Sequence, residues 1–117
     1  MSYDSNNIFA KILRGEIPAK KVYEDEFAFA FHDIAPNAPT HILVIPKGEY
    51  RNFAEFSASA PASLVQGFFA AIGKIAAQHK LEHYRLITNN GEGAGQSVHH
   101  LHVHILAGKK MSALLPE

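Results

Sequence analysis

Between positions 100 and 106 the chain reads His-Leu-His-Val-His-Ile-Leu, three histidines interleaved with aliphatic residues. Successive side chains of a strand point to opposite faces. A strand here therefore sends His100, His102 and His104 one way and Leu101, Val103 and Ile105 the other. The aliphatic face can enter a core. The imidazole face must meet something polar, because three unpartnered imidazoles are poor core fillers. A helix, turning about 100° per residue, scatters positions i, i+2 and i+4 instead of aligning them. The period of two predicts a strand with one wet, functional side.

The rest of the chain supplies a frame for that strand. Ile8–Arg14 carries apolar residues at 8, 9, 12 and 13, the stripe of a short amphipathic helix stopped by Gly15 and Pro18. Taken alone, it fits a plain cover for a sheet edge better than a pocket wall. Lys21–Glu24 and Phe27–His32 read as strands around an Asp25-Glu26 turn, and Asp33–Pro39 as a proline-bearing loop. The β-branched run of His41–Ile45 predicts a central strand buried on both faces.

A long helix is predicted from about Pro61 to Lys80, with Leu64, Phe68, Ile72 and Ile75 on one stripe widened by Val65 and Phe69. Gly67 and Gly73 each cost such a helix roughly 1 kcal/mol relative to Ala, which marks them as points of close packing. Tyr84–Thr88 is the next strand. The fold class expected is α+β: a mostly antiparallel five-stranded sheet, one short N-terminal helix and one long central helix. One domain over 1–117 is expected, with residues 1–6 and 112–117 as tails.

Composition narrows the function classes. Eleven Lys+Arg balance eleven Asp+Glu, so non-specific nucleic-acid binding has no electrostatic support. With no cysteine, disulfides and thiolate zinc sites are excluded. The polar start Met1–Asn7 is no signal peptide, and no apolar run approaches the ~20 residues of a membrane span. A soluble, cytoplasmic protein is expected.

The run Gly91-Glu92-Gly93-Ala94-Gly95 precedes the histidines and can turn bare N–H donors toward an anion. It is neither a dinucleotide fingerprint, since Gln96 stands where a glycine is needed, nor a Walker loop. Standing alone it is equally an ordinary flexible loop. Beside three aligned histidines and Ser97, a phosphate cradle is favoured. Two chemistries suit the histidines. One is metal binding, which needs a further ligand such as His41 or Asp33. The other is nucleophilic attack on phosphorus by a neutral imidazole, splitting one displacement into two through an N-phosphoryl intermediate.

These residues resemble the histidine triad (HIT) family, whose signature is His-φ-His-φ-His-φ-φ with φ apolar. Ile8–Ile12, Glu16–Lys20, Phe31–Ile34, Ala38–Lys47 and Gly95–Val98 extend the likeness to its nucleoside phosphoramidase (Hint) branch, over about residues 7–111. The resemblance implies a homodimer whose sheets join across the interface. It also implies hydrolysis of purine nucleoside 5′-phosphoramidates to the monophosphate, with neither cofactor nor metal. By it His102 is the nucleophile and His100 orients it through its backbone carbonyl. His104, Asn89, Gly95, Gln96 and Ser97 line the phosphate and leaving-group site. Asp33 accepts from the ribose hydroxyls, and Ile8, Phe9, Ile12, Phe31 and Ile34 form the slot for the base. His41 is implied near the nucleophile in a supporting role. The likeness moves the first helix toward the pocket wall.

Three departures stand out. Asn7, Ala10 and Glu49 occupy the places of a structural Cys-x-x-Cys…His zinc site. His99 replaces a common Tyr, and its parity points it away from the triad. The tail Met111–Glu117, a segment that helps choose leaving groups in the family, lacks the Trp found near this point in close phosphoramidase relatives. Two other functions stay open: a zinc-dependent hydrolase using the histidines as ligands, and a non-catalytic nucleotide-binding regulatory dimer.

Overall fold

The computed structural model describes residues 2–115. Five strands, β1 (Lys21–Glu24), β2 (Ala28–His32), β3 (Thr40–Pro46), β4 (Tyr84–Ile87) and β5 (Val103–Ala107), form one sheet in the order β1-β2-β3-β5-β4. Every neighbouring pair is antiparallel, as the sequence predicts. Three helices pack on it: α1 (Ile8–Leu13), α2 (Phe53–Ser59) and α3 (Ala62–Gln78). Among the described residues no helix is long and apolar enough to cross a membrane.

The alternation of β3 and β5 divides the apolar residues between two sides. Ile42, Val44, Val103 and Ile105 join Phe56 of α2 and Phe68, Ile72 and Ile75 of α3 in the larger core, together with Leu101. Leu43 and Ile45 face the other way and pack with Phe31 and with Phe9 and Ile12 of α1. β3 is thus buried on both faces. Gly67 lets α3 approach the β1–β2 turn: a Cβ added there lies 2.3 Å from the Phe27 ring. Gly73 has nothing within 4 Å of such a Cβ, so the expected close packing does not occur there.

Four differences from the sequence expectation have local causes. Helix α2 was not anticipated; the Asn52 side chain caps it by accepting from Glu55 N–H at 2.9 Å, and only Phe56 is buried. Pro61 serves as the N-cap residue of α3 instead of opening its first turn. Regular pairing of the histidine strand begins at Val103, because β3 ends at Pro46, which has no N–H to offer, and Leu101 N–H instead donates to Tyr50 O at 2.8 Å. The N-terminal tail expected over 1–6 is held down from Tyr3 onward. Asn7 Nδ2 donates to Asp4 O at 2.7 Å, and Arg14 Nη1 to Ser5 O at 2.8 Å. At the other end, Ser112 O accepts from Arg85 Nη2 at 3.1 Å, and the remainder of the expected tail beyond Leu115 lies outside the described residues.

Candidate active site

The face of the sheet opposite α3 carries a cleft of about 420 Å³, within the usual range for small-molecule sites. Its apolar wall is built by Ile8, Phe9 and Ile12 of α1 with Phe31 and Leu43 of the sheet. Ile34 stands at the rim, an apolar side chain 95% exposed. Asp33, Ser97, His102 and His104 supply the polar groups. The helix expected to be either edge cover or pocket wall is a pocket wall.

The hydrogen bonds around the histidines fix which ring nitrogen carries the proton. His102 Nδ1 lies 2.8 Å from His100 O, a carbonyl that can only accept, so Nδ1 donates and Nε2 keeps a lone pair. Among the described residues no buried side-chain nitrogen or oxygen is left without a partner, and Nε2 of His102 has none. That atom therefore opens on the cleft. The Phe9 ring stands edge-on to His102, centroids 5.0 Å apart, and limits its rotation.

A second chain sets the neighbouring ring. The Asn37 backbone N–H donates to His41 Nδ1 at 3.0 Å, which leaves the proton of neutral His41 on Nε2. His41 Nε2 lies 2.9 Å from His104 Nδ1 and 3.3 Å from Asp33 Oδ2. With Nδ1 of His104 accepting, its own proton sits on Nε2. The two rings that line the cleft, centroids 5.2 Å apart, thus differ in kind: His102 presents a lone pair and His104 presents an N–H.

All four rings are held neutral at physiological pH. Burial pushes His100 down to about 4, against the hydrogen bond of its Nε2 to Pro46 O at 3.1 Å. Burial likewise brings His104 to about 4, aided by the neighbouring His102 and His41 rings and opposed by Asp33. His102 and His41 are lowered by burial too, with Asp33 opposing in both cases.

Asp33, His41 and His104 bring potential ligand atoms within 4.8 Å of one another. Their surroundings do not suit a cation. A metal-binding imidazole usually donates its other N–H to an acceptor. His41 Nδ1 instead receives an N–H from Asn37, so binding a metal at Nε2 would set two donors face to face.

Asn89, Gly95 and Gln96 do not line the cleft. Gln96 is buried and spends its amide on the backbone: Nε2 donates to Arg51 O at 2.6 Å and Val98 O at 2.9 Å, and Oε1 accepts from Gly91 N–H at 2.8 Å. The glycine run closes on itself, with Gln96 N–H donating to Gly91 O at 3.1 Å. His99 turns away, its Nε2 3.3 Å from Glu92 Oε1. Ile17, Ala19, Lys20, His32 and Val98 also line the cleft. Sequence pattern did not single them out, because they follow α1 or flank strands without periodicity of their own.

The HIT domain model matches residues 14–111. An uncharacterised HIT-like protein of Azospirillum brasilense is 53% identical over 116 residues, covering 97% of this chain and 95% of its own. A HIT family hydrolase from Clostridium thermocellum has a similar structure, with 40% identity, a TM-score of 0.87, and coverage of 96% of this chain and 99% of that one. A histidine triad nucleotide-binding protein from Candida albicans is 28% identical with a TM-score of 0.78, covering 96% and 87%.

Proposed function

Since the chain belongs to the HIT domain family, we propose that it is a cytoplasmic hydrolase of purine nucleoside 5′-phosphoramidates that works through a nucleotidyl-histidine. The observation that carries this is the pairing of unlike nitrogens in the cleft. Nε2 of His102 is freed as a lone pair by the bond from its Nδ1 to His100 O, next to the N–H of His104. The relatives support a hydrolase that handles nucleotides, as the names of the Clostridium and Candida proteins have it. The P–N bond and the purine base are our extension.

In the first step Nε2 of His102 bonds to the α-phosphorus while the P–N bond breaks. The departing nitrogen takes a proton, delivered from water through the Ser97 hydroxyl at the cleft wall. His104 Nε2–H donates to a non-bridging phosphoryl oxygen, where charge accumulates. Water then attacks phosphorus, loses a proton to solvent, and releases the nucleoside monophosphate with the imidazole restored. His41 acts by holding His104 in the donor tautomer. Asp33 accepts from the ribose hydroxyls, and the base lies between Phe9, Phe31, Ile8, Ile12 and Ile34. Gln96 holds the loop that carries Ser97 through its bonds to Gly91, Arg51 and Val98, and left-handed Gly95 lets that loop turn.

The donor opposite His41 Nδ1 weighs against the zinc-dependent alternative. We place a second copy of the chain against β4, which ends the sheet with its outer edge unpaired among the described residues and exposes Tyr84 and Leu86. Turnover of adenosine 5′-phosphoramidate by the parent protein, and its loss in His102→Ala with the fold retained, is the expected result. Full activity in that variant overturns the proposal.

A further inference from the structure

The N-terminal segment ends its approach to the sheet in one contact that spans the chain. Tyr3 Oη lies 2.6 Å from Nδ1 of His100, a residue 97 positions away, and the two rings meet edge-on with centroids 5.7 Å apart. His100 is completely buried. Its Nε2 faces Pro46 O at 3.1 Å, an acceptor, so the ring proton is on Nε2 and Nδ1 is a lone pair. The bond from Tyr3 therefore runs one way: the phenol donates and the imidazole accepts. The same residue's backbone carbonyl receives the N–H of His102.

We propose that Tyr3 is a positioning residue for the nucleophile, acting through His100. With its phenol in place, His100 is bonded at Nδ1, at Nε2 and at its carbonyl, and cannot rotate or exchange tautomers without breaking one of the three. Its carbonyl then stays at the distance that keeps the proton on Nδ1 of His102. Three contacts fasten the strap that delivers Tyr3: Asn6 N–H to Asp4 Oδ1 at 2.9 Å, Asn7 Nδ2–H to Asp4 O, and Arg14 Nη1–H to Ser5 O. The Asn7 side-chain oxygen caps α1 at the same point, so the strap is continuous with the helix that walls the cleft. Without the phenol, His100 Nδ1 is a buried acceptor with no donor. The ring then gains by turning, and a turned ring pulls the carbonyl off His102.

The kinetic half of this rests on the proposed hydrolysis; the geometric half does not. The experiment is Tyr3→Phe, read in two ways. Turnover of adenosine 5′-phosphoramidate is expected to lose roughly tenfold in kcat with KM changed less than about twofold. Nitrogen-edited NMR of the histidine rings needs no substrate. It is expected to show a single Nδ1–H tautomer for His102 in the parent and a mixture of tautomers in Tyr3→Phe. A variant whose His102 ring keeps the parental nitrogen shifts overturns the proposal, whatever its kinetics. A parent with the predicted tautomer but no turnover sinks the hydrolase instead, and leaves this assignment to the NMR comparison alone.

Discussion

His41 stands 2.9 Å from His104, its Nε2 toward the partner's Nδ1, while a backbone N–H from Asn37 occupies its other nitrogen. This arrangement gives His41 a role that spacing alone could not: it dictates the tautomer of a ring it does not share a strand with. Substituting His41→Ala removes the donor and lets the His104 proton move to Nδ1, away from the cleft. Steady-state kinetics are expected to show kcat reduced roughly 10–100-fold with KM little altered. An equal rise in KM with kcat unchanged would assign His41 to binding instead.

Asp33 offers a separate check on substrate recognition. Its Oδ1 accepts from Ala35 N–H at 2.8 Å and its Oδ2 faces His41, which leaves lone pairs of both oxygens free for the ribose hydroxyls of the proposed substrate. Asp33→Ala is expected to lower kcat/KM roughly 10–100-fold on the ribonucleoside phosphoramidate. On the 2′,3′-dideoxy analogue the loss should nearly vanish. Equal losses on the two substrates would mean that Asp33 acts through its loop and not through the sugar.

The neutral histidines make stability depend on pH. In the unfolded chain a histidine titrates near 6.5, whereas His100 and His104 are held at about 4 in the fold. Between those values the unfolded chain binds more protons, so stability rises with pH across the window. The contribution is complete above about pH 6.5 and disappears as pH falls to about 4. For His100, buried and shifted most plainly by burial, it amounts to about 3 kcal/mol. Urea unfolding between pH 7.5 and 4.5 should show this decline, and a profile flat across that range would contradict the neutral burial.

The two helical glycines should respond oppositely to the same substitution. Gly67→Ala drives a methyl into the Phe27 ring and is expected to destabilise by about 1–3 kcal/mol. Gly73→Ala meets open space and is expected to stabilise by roughly 0.5–1 kcal/mol, the ordinary helix preference. Thermal unfolding of the pair separates them; two changes of the same sign would show the α3 packing to be wrong.

Much of the fold was legible where side chains repeat with a period. Alternation placed Leu101, Val103 and Ile105 against α3 and turned the histidines the other way, and the β-branched run marked β3 as buried on both faces. Helix α2 escaped because seven residues with a single buried aromatic carry no periodic signal. Much of the cleft lining was legible as residues, with Asn89, Gly95 and Gln96 wrongly included, but not as protons. Which nitrogen of His100, His102, His104 or His41 carries hydrogen depends on carbonyls and N–H groups at residues 37, 46 and 100, which no side-chain pattern encodes. Tyr3 was hidden for a similar reason. Its partner is 97 residues distant, and a polar N-terminal stretch looks the same whether or not it docks.

The proposed covalent role of His102 is tested most directly by the mass of the protein caught at work. Quenching the enzyme in acid-free denaturant during turnover of a slow adenosine 5′-phosphoramidate, and weighing it intact, should reveal one added adenylyl group per chain. His102→Ala treated identically should carry none. Turnover with no adduct at any time point, or an adduct that survives in His102→Ala, would place the chemistry elsewhere and contradict the mechanism.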